Sequence, residues 1–200
     1  MPNVYQLKIT LLGTEPPIWR RIVVPGNLNF ERLHYVIQDA MGWDDCHLHS
    51  FEVGGVEIGP PSRKRLFGEP VPPEKQYTLD RVARANPQFT YLYDFGDSWT
   101  HEIIVEQVTI GELQAPRCVA GERACPPEDC GGVWGYAELV HVLADKTHER
   151  HEEQAEWVGE RWSPERFDLE AADRRVARHR PQPGRPRLAS KSKDRSRTRA

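Results

Sequence analysis

Alternation of apolar and polar residues in the first half of the chain predicts β-strands. In residues 4–12, Tyr5, Leu7 and Ile9 alternate with polar neighbours, which is the period of a strand with one buried face. A second strand, residues 18–24, is predicted after the break at Pro16-Pro17. The remaining predicted strands span residues 47–53, 56–58, 89–95 and 100–110. Gly96-Asp97 fits a tight turn between the last two.

A helical period interrupts the strands once and then governs the last third. Apolar residues at 33, 36, 37 and 40 predict a helix capped by Asn29, running to about Met41 and ended by Gly42. Thr78 can cap a single helical turn, and Ser163-Pro164 is typical of a helix start. Further helices are predicted at 133–144, 148–159 and 168–179. Strands with one inserted helix, followed by helices, indicate an α+β fold with an antiparallel sheet and a C-terminal helical segment.

Charge divides the 200 residues into two parts. Residues 181–200 carry seven Lys or Arg against one Asp, about +6, which leaves about −9 on residues 1–180. The sequence therefore predicts one domain, 1–180, and a disordered basic tail, 181–200. The tail is interpreted either as a weak nucleic-acid contact or as a solubilising terminus.

Neither a membrane span nor a secretory signal is predicted. No stretch approaches the roughly 20 apolar residues of a transmembrane helix, and MPNVYQLKITLLG lacks the basic and apolar regions of a signal peptide. We therefore expect a cytoplasmic protein without membrane contact. Four unevenly spaced cysteines are too few for a disulfide scaffold, so they are expected to be thiols or metal ligands.

Three cysteines lie in the segment CVAGERACPPEDCGG, in which prolines and glycines predict turns. The spacing Cys118-x6-Cys125-x4-Cys130 loosely resembles a zinc knuckle, and His101 is the candidate fourth ligand of a structural zinc. The alternative is that these cysteines are small buried thiols beneath a proline-rich turn.

The segment YDFGDSWTH gathers Asp94, Asp97, Trp99 and His101 around one hairpin turn. A carboxylate beside a histidine can act as an acid, a base or an orienting hydrogen-bond partner. The alternative is structural, with Asp97 bonding to nearby backbone and Trp99 lying in the core.

Two further histidines, His47 and His49, are two positions apart on a predicted strand and are expected to face the same way, with Cys46 beside them. They mark a metal ligand pair or simply a polar strand face. The predicted binding surface is therefore the following set: His47, His49, Asp94, Asp97, Trp99 and His101.

Standard catalytic motifs are absent from the sequence. It contains no G-x-x-x-x-G-K-[ST], G-x-G-x-x-G, G-x-S-x-G or H-E-x-x-H. We therefore predict a non-catalytic binding or accessory module. One alternative is a metal-dependent hydrolase or transferase using Asp94, Asp97 and His101, and another is a purely structural partner protein.

Five segments resemble the plasmid pRiA4b ORF-3-like family. They are PPIWRRIVVP, FERLHYVIQDAMGW, HLHSFEV, YLYDFGDSWTHEI and GERACPPEDCGGVWGY, and the resemblance extends from about residue 5 to residue 167. It implies a compact α/β roll, with Cys118 and Cys125 at the family's usual cysteine positions. It also implies an association with mobile DNA, since members are often labelled insertion-element passengers or resolvase-like proteins. Resolvase chemistry is not expected here, because the first serine is Ser50 and the N-terminal strand ends in LLGTEPP.

Overall fold

A computed structural model describes residues 1–61 and 70–180 of the chain. The strands are β1 (Asn3–Leu11), β2 (Ile18–Pro25), β3 (His49–Val53), β4 (Val56–Ile58), β5 (Gln88–Tyr93), β6 (Trp99–Ile110) and β7 (Arg117–Glu122). The helices are α1 (Phe30–Met41), α2 (Leu79–Val82), α3 (Gly132–Ala144), α4 (His151–Val158) and α5 (Leu169–Val176), with a 3₁₀ turn at Glu74–Gln76. The fold is therefore α+β, as the sequence predicts.

The seven strands form one sheet in the order β4-β3-β5-β6-β1-β2-β7. Every neighbouring pair is antiparallel, and β1 lies near the middle between β6 and β2. The edge strand β7 was missed by sequence reasoning, which assigned its cysteine segment to turns. It pairs with β2 through a register shift between Arg21 and Ile22. Such a shift is a local irregularity that an alternation pattern does not reveal.

Along the strands, buried side chains on one face of the sheet alternate with more exposed side chains on the other. Tyr5, Leu7 and Ile9 on β1 have no exposed surface, and α1 packs on the same face. The ring of Phe30 on α1 meets that of Phe51 on β3 edge to face, at 4.9 Å. Burying each such large apolar side chain stabilises the fold by about 1.5–3 kcal/mol. This face fixes the position of α1 and of the loop that follows it.

Caps define where α1 begins and ends. The Asn29 side chain accepts a hydrogen bond from the Arg32 amide at 2.9 Å, and Gly42 adopts the left-handed conformation, φ 108°. Both features agree with the prediction. The predicted cap at Ser163-Pro164 is wrong, because Asp168 caps α5 by accepting from the Ala171 amide. The predicted Thr78 cap on α2 makes no side-chain hydrogen bond to the helix.

The predicted basic tail, 181–200, lies outside the described residues, as do residues 62–69. Among the residues that are described, every helix is too short or too polar to cross a membrane.

Candidate metal centre

Three segments distant in sequence meet at one end of the buried face of the sheet. The first is the loop after α1, which carries Cys46 and His47. The second is the β5–β6 turn, which begins at Asp94, and the third is the loop between β7 and α3, which carries Glu128 and Asp129. Potential metal-ligand atoms of these five residues converge in two overlapping groups.

His47 is the residue common to both groups. Its Nε2 atom lies 3.2 Å from Asp129 Oδ1, 3.7 Å from Asp94 Oδ2 and 3.8 Å from Glu128 Oε2. Nevertheless this nitrogen makes no hydrogen bond within the described residues, and solvent does not reach it. The three contacts have the distances of ion pairs rather than of good hydrogen bonds, and a cation among these groups is another arrangement that satisfies a buried nitrogen lacking a hydrogen bond.

Glu128 and Asp94 each use one carboxylate oxygen to accept hydrogen bonds, and the other oxygen faces His47. Glu128 Oε1 accepts from the Asp44 amide at 2.8 Å and from the Tyr93 hydroxyl at 2.9 Å, whereas Oε2 is buried without a partner. Asp94 Oδ1 similarly accepts from the Gly96 amide at 2.8 Å. Hydrogen bonds of this kind orient the carboxylates that ligate metals in proteins.

The spacing of these atoms is close to that around a metal ion. Ligands about 2.1 Å from an ion lie about 3.0 Å apart in octahedral and about 3.4 Å apart in tetrahedral coordination. The three distances from His47 Nε2 are 3.2–3.8 Å, close to these values. His47 is the shared member, whereas Glu128 belongs to one group of neighbouring ligand atoms and Asp94 and Asp129 belong to the other.

The cluster is closed on one side and open on the other. The side chain of Asp94 is 10% exposed, whereas that of Asp129 is 75% exposed. A groove of about 530 Å³ begins at Asp129 and is lined by Cys130, Glu153, Gln154, Glu156 and Trp157. A larger depression of about 670 Å³ around Pro2 and Gly111 contains none of the candidate residues. An ion at the cluster would keep a coordination position open to a further ligand.

Of the predicted binding surface, His47 and Asp94 are brought together in this cluster, whereas His49 belongs to a separate buried network. The His49 ring stacks on that of His34 at 3.5 Å, and its Nε2 bonds to Glu74 at 2.8 Å. Burial, reinforced by the neighbouring His49, lowers the pKa of His34 to about 2. His34 is therefore neutral, and it bonds to Asp45 and to the Tyr91 hydroxyl.

Trp99 and His101 lie in the core rather than on a binding surface. Both are completely buried, because β6 directs them toward the face that α1 covers. Burial lowers the pKa of His101 to about 4, with Arg20 adding repulsion and backbone groups of Tyr91 and Trp99 opposing the shift. These two residues therefore do not belong to an accessible binding surface, and the alternative interpretation, with Trp99 in the core, agrees with the structure.

Asp97 lies beside the cluster but has a different role. Its Oδ2 atom accepts a hydrogen bond from the Gly131 amide at 3.0 Å. Asp97 thus ties the β5–β6 turn to the loop that carries Glu128 and Asp129. The hydrolase alternative named Asp94, Asp97 and His101, and only Asp94 of these three lies among the converging ligand atoms.

The predicted zinc ligands do not converge in the described residues. Neither group of neighbouring ligand atoms includes Cys118, Cys125, Cys130 or His101. Burial raises the pKa of the Cys118 thiol to about 11 and that of Cys130 to about 12, and it raises that of Cys125 strongly. Cys118 Sγ contacts the carbonyl of Ala120, its neighbour on β7. Cys118 is buried and Cys125 and Cys130 are half-buried against the core, which fits the alternative interpretation of small packed thiols.

Comparison with known proteins adds a family to this description of an α+β protein with a histidine–carboxylate cluster. Residues 3–171 match the family of the plasmid pRiA4b ORF-3-like protein. The chain therefore belongs to that family.

Two proteins are similar to this chain over most of its length. "Uncharacterized protein y4hQ" from Sinorhizobium fredii (strain NBRC 101917 / NGR234) is 42% identical over 160 residues, covering 78% of this chain and 81% of its own. The crystal structure of the protein of unknown function MM3350 from Methanosarcina mazei Go1 is 40% identical, with a TM-score of 0.77. That alignment covers 86% of this chain and 97% of MM3350. The fold described above is thus shared with a solved structure.

Proposed function

We propose that this protein is a binding module for a divalent metal ion, held by His47, Asp94, Glu128 and Asp129. The observation that carries the proposal is His47 Nε2, a buried nitrogen without a hydrogen bond that faces three carboxylate oxygens. A cation among these atoms satisfies the nitrogen and relieves the repulsion among the carboxylates at once.

The donor set limits which ions fit. Imidazole nitrogen suits zinc and other first-row transition metals, whereas carboxylates also suit magnesium, calcium and manganese. One nitrogen among three carboxylates therefore favours a first-row divalent ion. Mixed His and Asp or Glu ligands are common in zinc sites that keep one position open.

The open side toward Asp129 gives the ion room for a water molecule or an acidic group of a ligand. This supports a binding role, in which the ion bridges the protein and its ligand. Metal-assisted hydrolysis requires the same open position, so a metal-dependent hydrolase is the second candidate function.

The test is metal binding by protein stripped with a chelator and titrated calorimetrically with Zn²⁺, Mn²⁺ and Mg²⁺. We expect one ion per chain. The near-isosteric changes His47→Gln, Asp94→Asn and Glu128→Gln should each weaken binding about tenfold or more, in the range found when a metal site loses support. The matched control is Glu160→Gln, which removes an exposed carboxylate outside the cluster.

Two results would refute the proposal. One is the absence of stoichiometric binding of any of the three ions. The other is binding whose affinity is the same in all three site variants as in Glu160→Gln. If metal-loaded protein also hydrolyses ester, phosphoester or peptide test substrates, and does so only with His47 present, the hydrolase interpretation replaces the binding one.

A further inference from the structure

We infer that Cys46 supplies a thiolate ligand to this ion and makes the centre selective for a zinc-class metal, Zn²⁺ or Co²⁺. This inference rests on the proposed metal centre and adds to it the ligand that decides which metal is held. It differs from the cysteine-knuckle zinc site predicted from sequence, since it uses none of the three later cysteines.

The geometry places the sulfur of Cys46 within reach of the site. Cys46 Sγ, His47 Nε2 and a carboxylate oxygen of Glu128 all lie within 4.8 Å of one another. A sulfur about 2.3 Å and a nitrogen about 2.1 Å from a zinc ion are about 3.1 Å apart at a right angle and about 3.6 Å apart at a tetrahedral angle. Cys46 is exposed, so its side chain can turn about χ1 to close that gap without disturbing the core.

Tyr93 positions two of these three ligands together. Its hydroxyl accepts from the Cys46 amide at 3.1 Å and donates to Glu128 Oε1 at 2.9 Å. Cys46 Sγ lies 3.7 Å from the same hydroxyl, and because the one phenolic proton is directed at Glu128, this contact fits a thiol that donates to the phenol oxygen.

His47 belongs to both groups of ligand atoms, and only one of the two groups contains a soft ligand, the Cys46 sulfur. The first group is Cys46, His47 and Glu128, and the second is His47, Asp94 and Asp129. Without the sulfur, one imidazole and carboxylates also suit Mn²⁺. A thiolate shifts the preference to Zn²⁺ and Co²⁺, because soft ligands favour these ions over Mn²⁺ and Mg²⁺.

The test is titration of the full-length, metal-free protein with Co²⁺, followed by absorption spectroscopy. A cobalt–thiolate bond produces a charge-transfer band in the near ultraviolet that oxygen and nitrogen ligands do not produce. We expect this band in the unaltered protein and its loss in Cys46→Ser. It should persist in Cys130→Ser, which removes a neighbouring thiol of the same loop that carries Glu128.

Competition between metals gives a second readout that does not depend on the spectrum. The ratio of Zn²⁺ to Mn²⁺ affinity should fall about tenfold or more in Cys46→Ser, and a tenfold change is readily measured. The change Cys46→Ala should give the same result, which shows that the sulfur rather than the introduced hydroxyl matters.

The outcomes separate this inference from the proposed function. If Co²⁺ binds in a His47-dependent manner but no charge-transfer band forms, or the band survives Cys46→Ser, Cys46 is not a ligand and the metal centre stands without it. If the band disappears in Cys130→Ser instead, the thiolate ligand comes from the later cysteine segment, and the inference is again wrong. If no ion binds at all, both proposals fail.

Discussion

His101 should make the fold sensitive to mild acid, and this sensitivity measures how deeply the residue is buried. Burial lowers its pKa from 6.5 to about 4. Between these two pH values, the unfolded chain binds a proton at this residue and the folded chain does not. The contribution of His101 to stability is therefore complete above pH 6.5, is lost as pH falls below that value, and changes no further below about pH 4.

The size of the effect follows from the shift. A change of about 2.5 pKa units corresponds to about 3 kcal/mol when fully expressed, and to about 2 kcal/mol at pH 5. For a domain of this size, about 2 kcal/mol lowers the melting temperature by roughly 4–8 °C. His34, whose pKa is lowered to about 2, adds to the loss in the same pH range, so the two contributions must be separated by mutation.

The assay is urea unfolding between pH 5 and 8 of the unaltered protein and of His101→Gln. The variant is expected to be less stable overall, but its free energy of unfolding should vary less with pH, by about 2 kcal/mol at pH 5. His141→Gln removes an exposed histidine and should leave the pH dependence unchanged. If His101→Gln and the unaltered protein show the same pH dependence, His101 is not a buried neutral histidine, and a role in acid–base chemistry returns as an option.

Two further predictions concern the loop and the tail. A Cβ atom added at Gly135 would lie 1.9 Å from the carbonyl oxygen of Cys130. Gly135→Ala should therefore displace the loop bearing Glu128 and weaken metal binding measured by calorimetry. Gly111→Ala is the control, because its Cβ meets nothing within 4 Å, and it should bind metal normally. Equal affinity in the two variants would contradict this packing argument. Deletion of residues 181–200 should abolish any salt-dependent binding of duplex DNA in fluorescence anisotropy, since those residues carry about +6 of charge. If the truncated chain binds DNA as tightly as the full one, the tail is not the contact.

The fold could be predicted largely because its strands and first helix obey simple periods. The alternation in β1 and the caps of α1 at Asn29 and Gly42 are local signals, and the structure confirms them. The edge strand β7 has no such signal, because RCVAGE does not alternate clearly and pairs through a register shift. Its strand character depends on β2, a partner about one hundred residues earlier in the chain.

The candidate metal centre could be predicted only in part. His47 and Asp94 stand out by residue type. The aromatic strand FTYLYDF does not reveal which face of the hairpin α1 covers, so the sequence leaves open whether Trp99 lies in the core or on the binding surface. Glu128 and Asp129 were overlooked because the cysteines around them suggested a separate zinc site. The available signal was the pair of adjacent carboxylates in PPEDCGG, but only tertiary packing places them against His47.

The two most distinctive strings of the chain are best understood as halves of one site. YDFGDSWTH contributes Asp94 to the centre and Asp97 as the anchor of the facing loop. ACPPEDCGG contributes Glu128 and Asp129. Its second glycine, Gly132, has φ +67°, and a Cβ atom there would lie 2.6 Å from the Asp97 carbonyl oxygen, so a side chain does not fit at this position. A larger residue at position 132 would separate the loop from the hairpin, and with it the carboxylates from His47. The acidic residues, Gly132 and the hairpin turn therefore form a single structural unit, and binding of the proposed ion depends on all three.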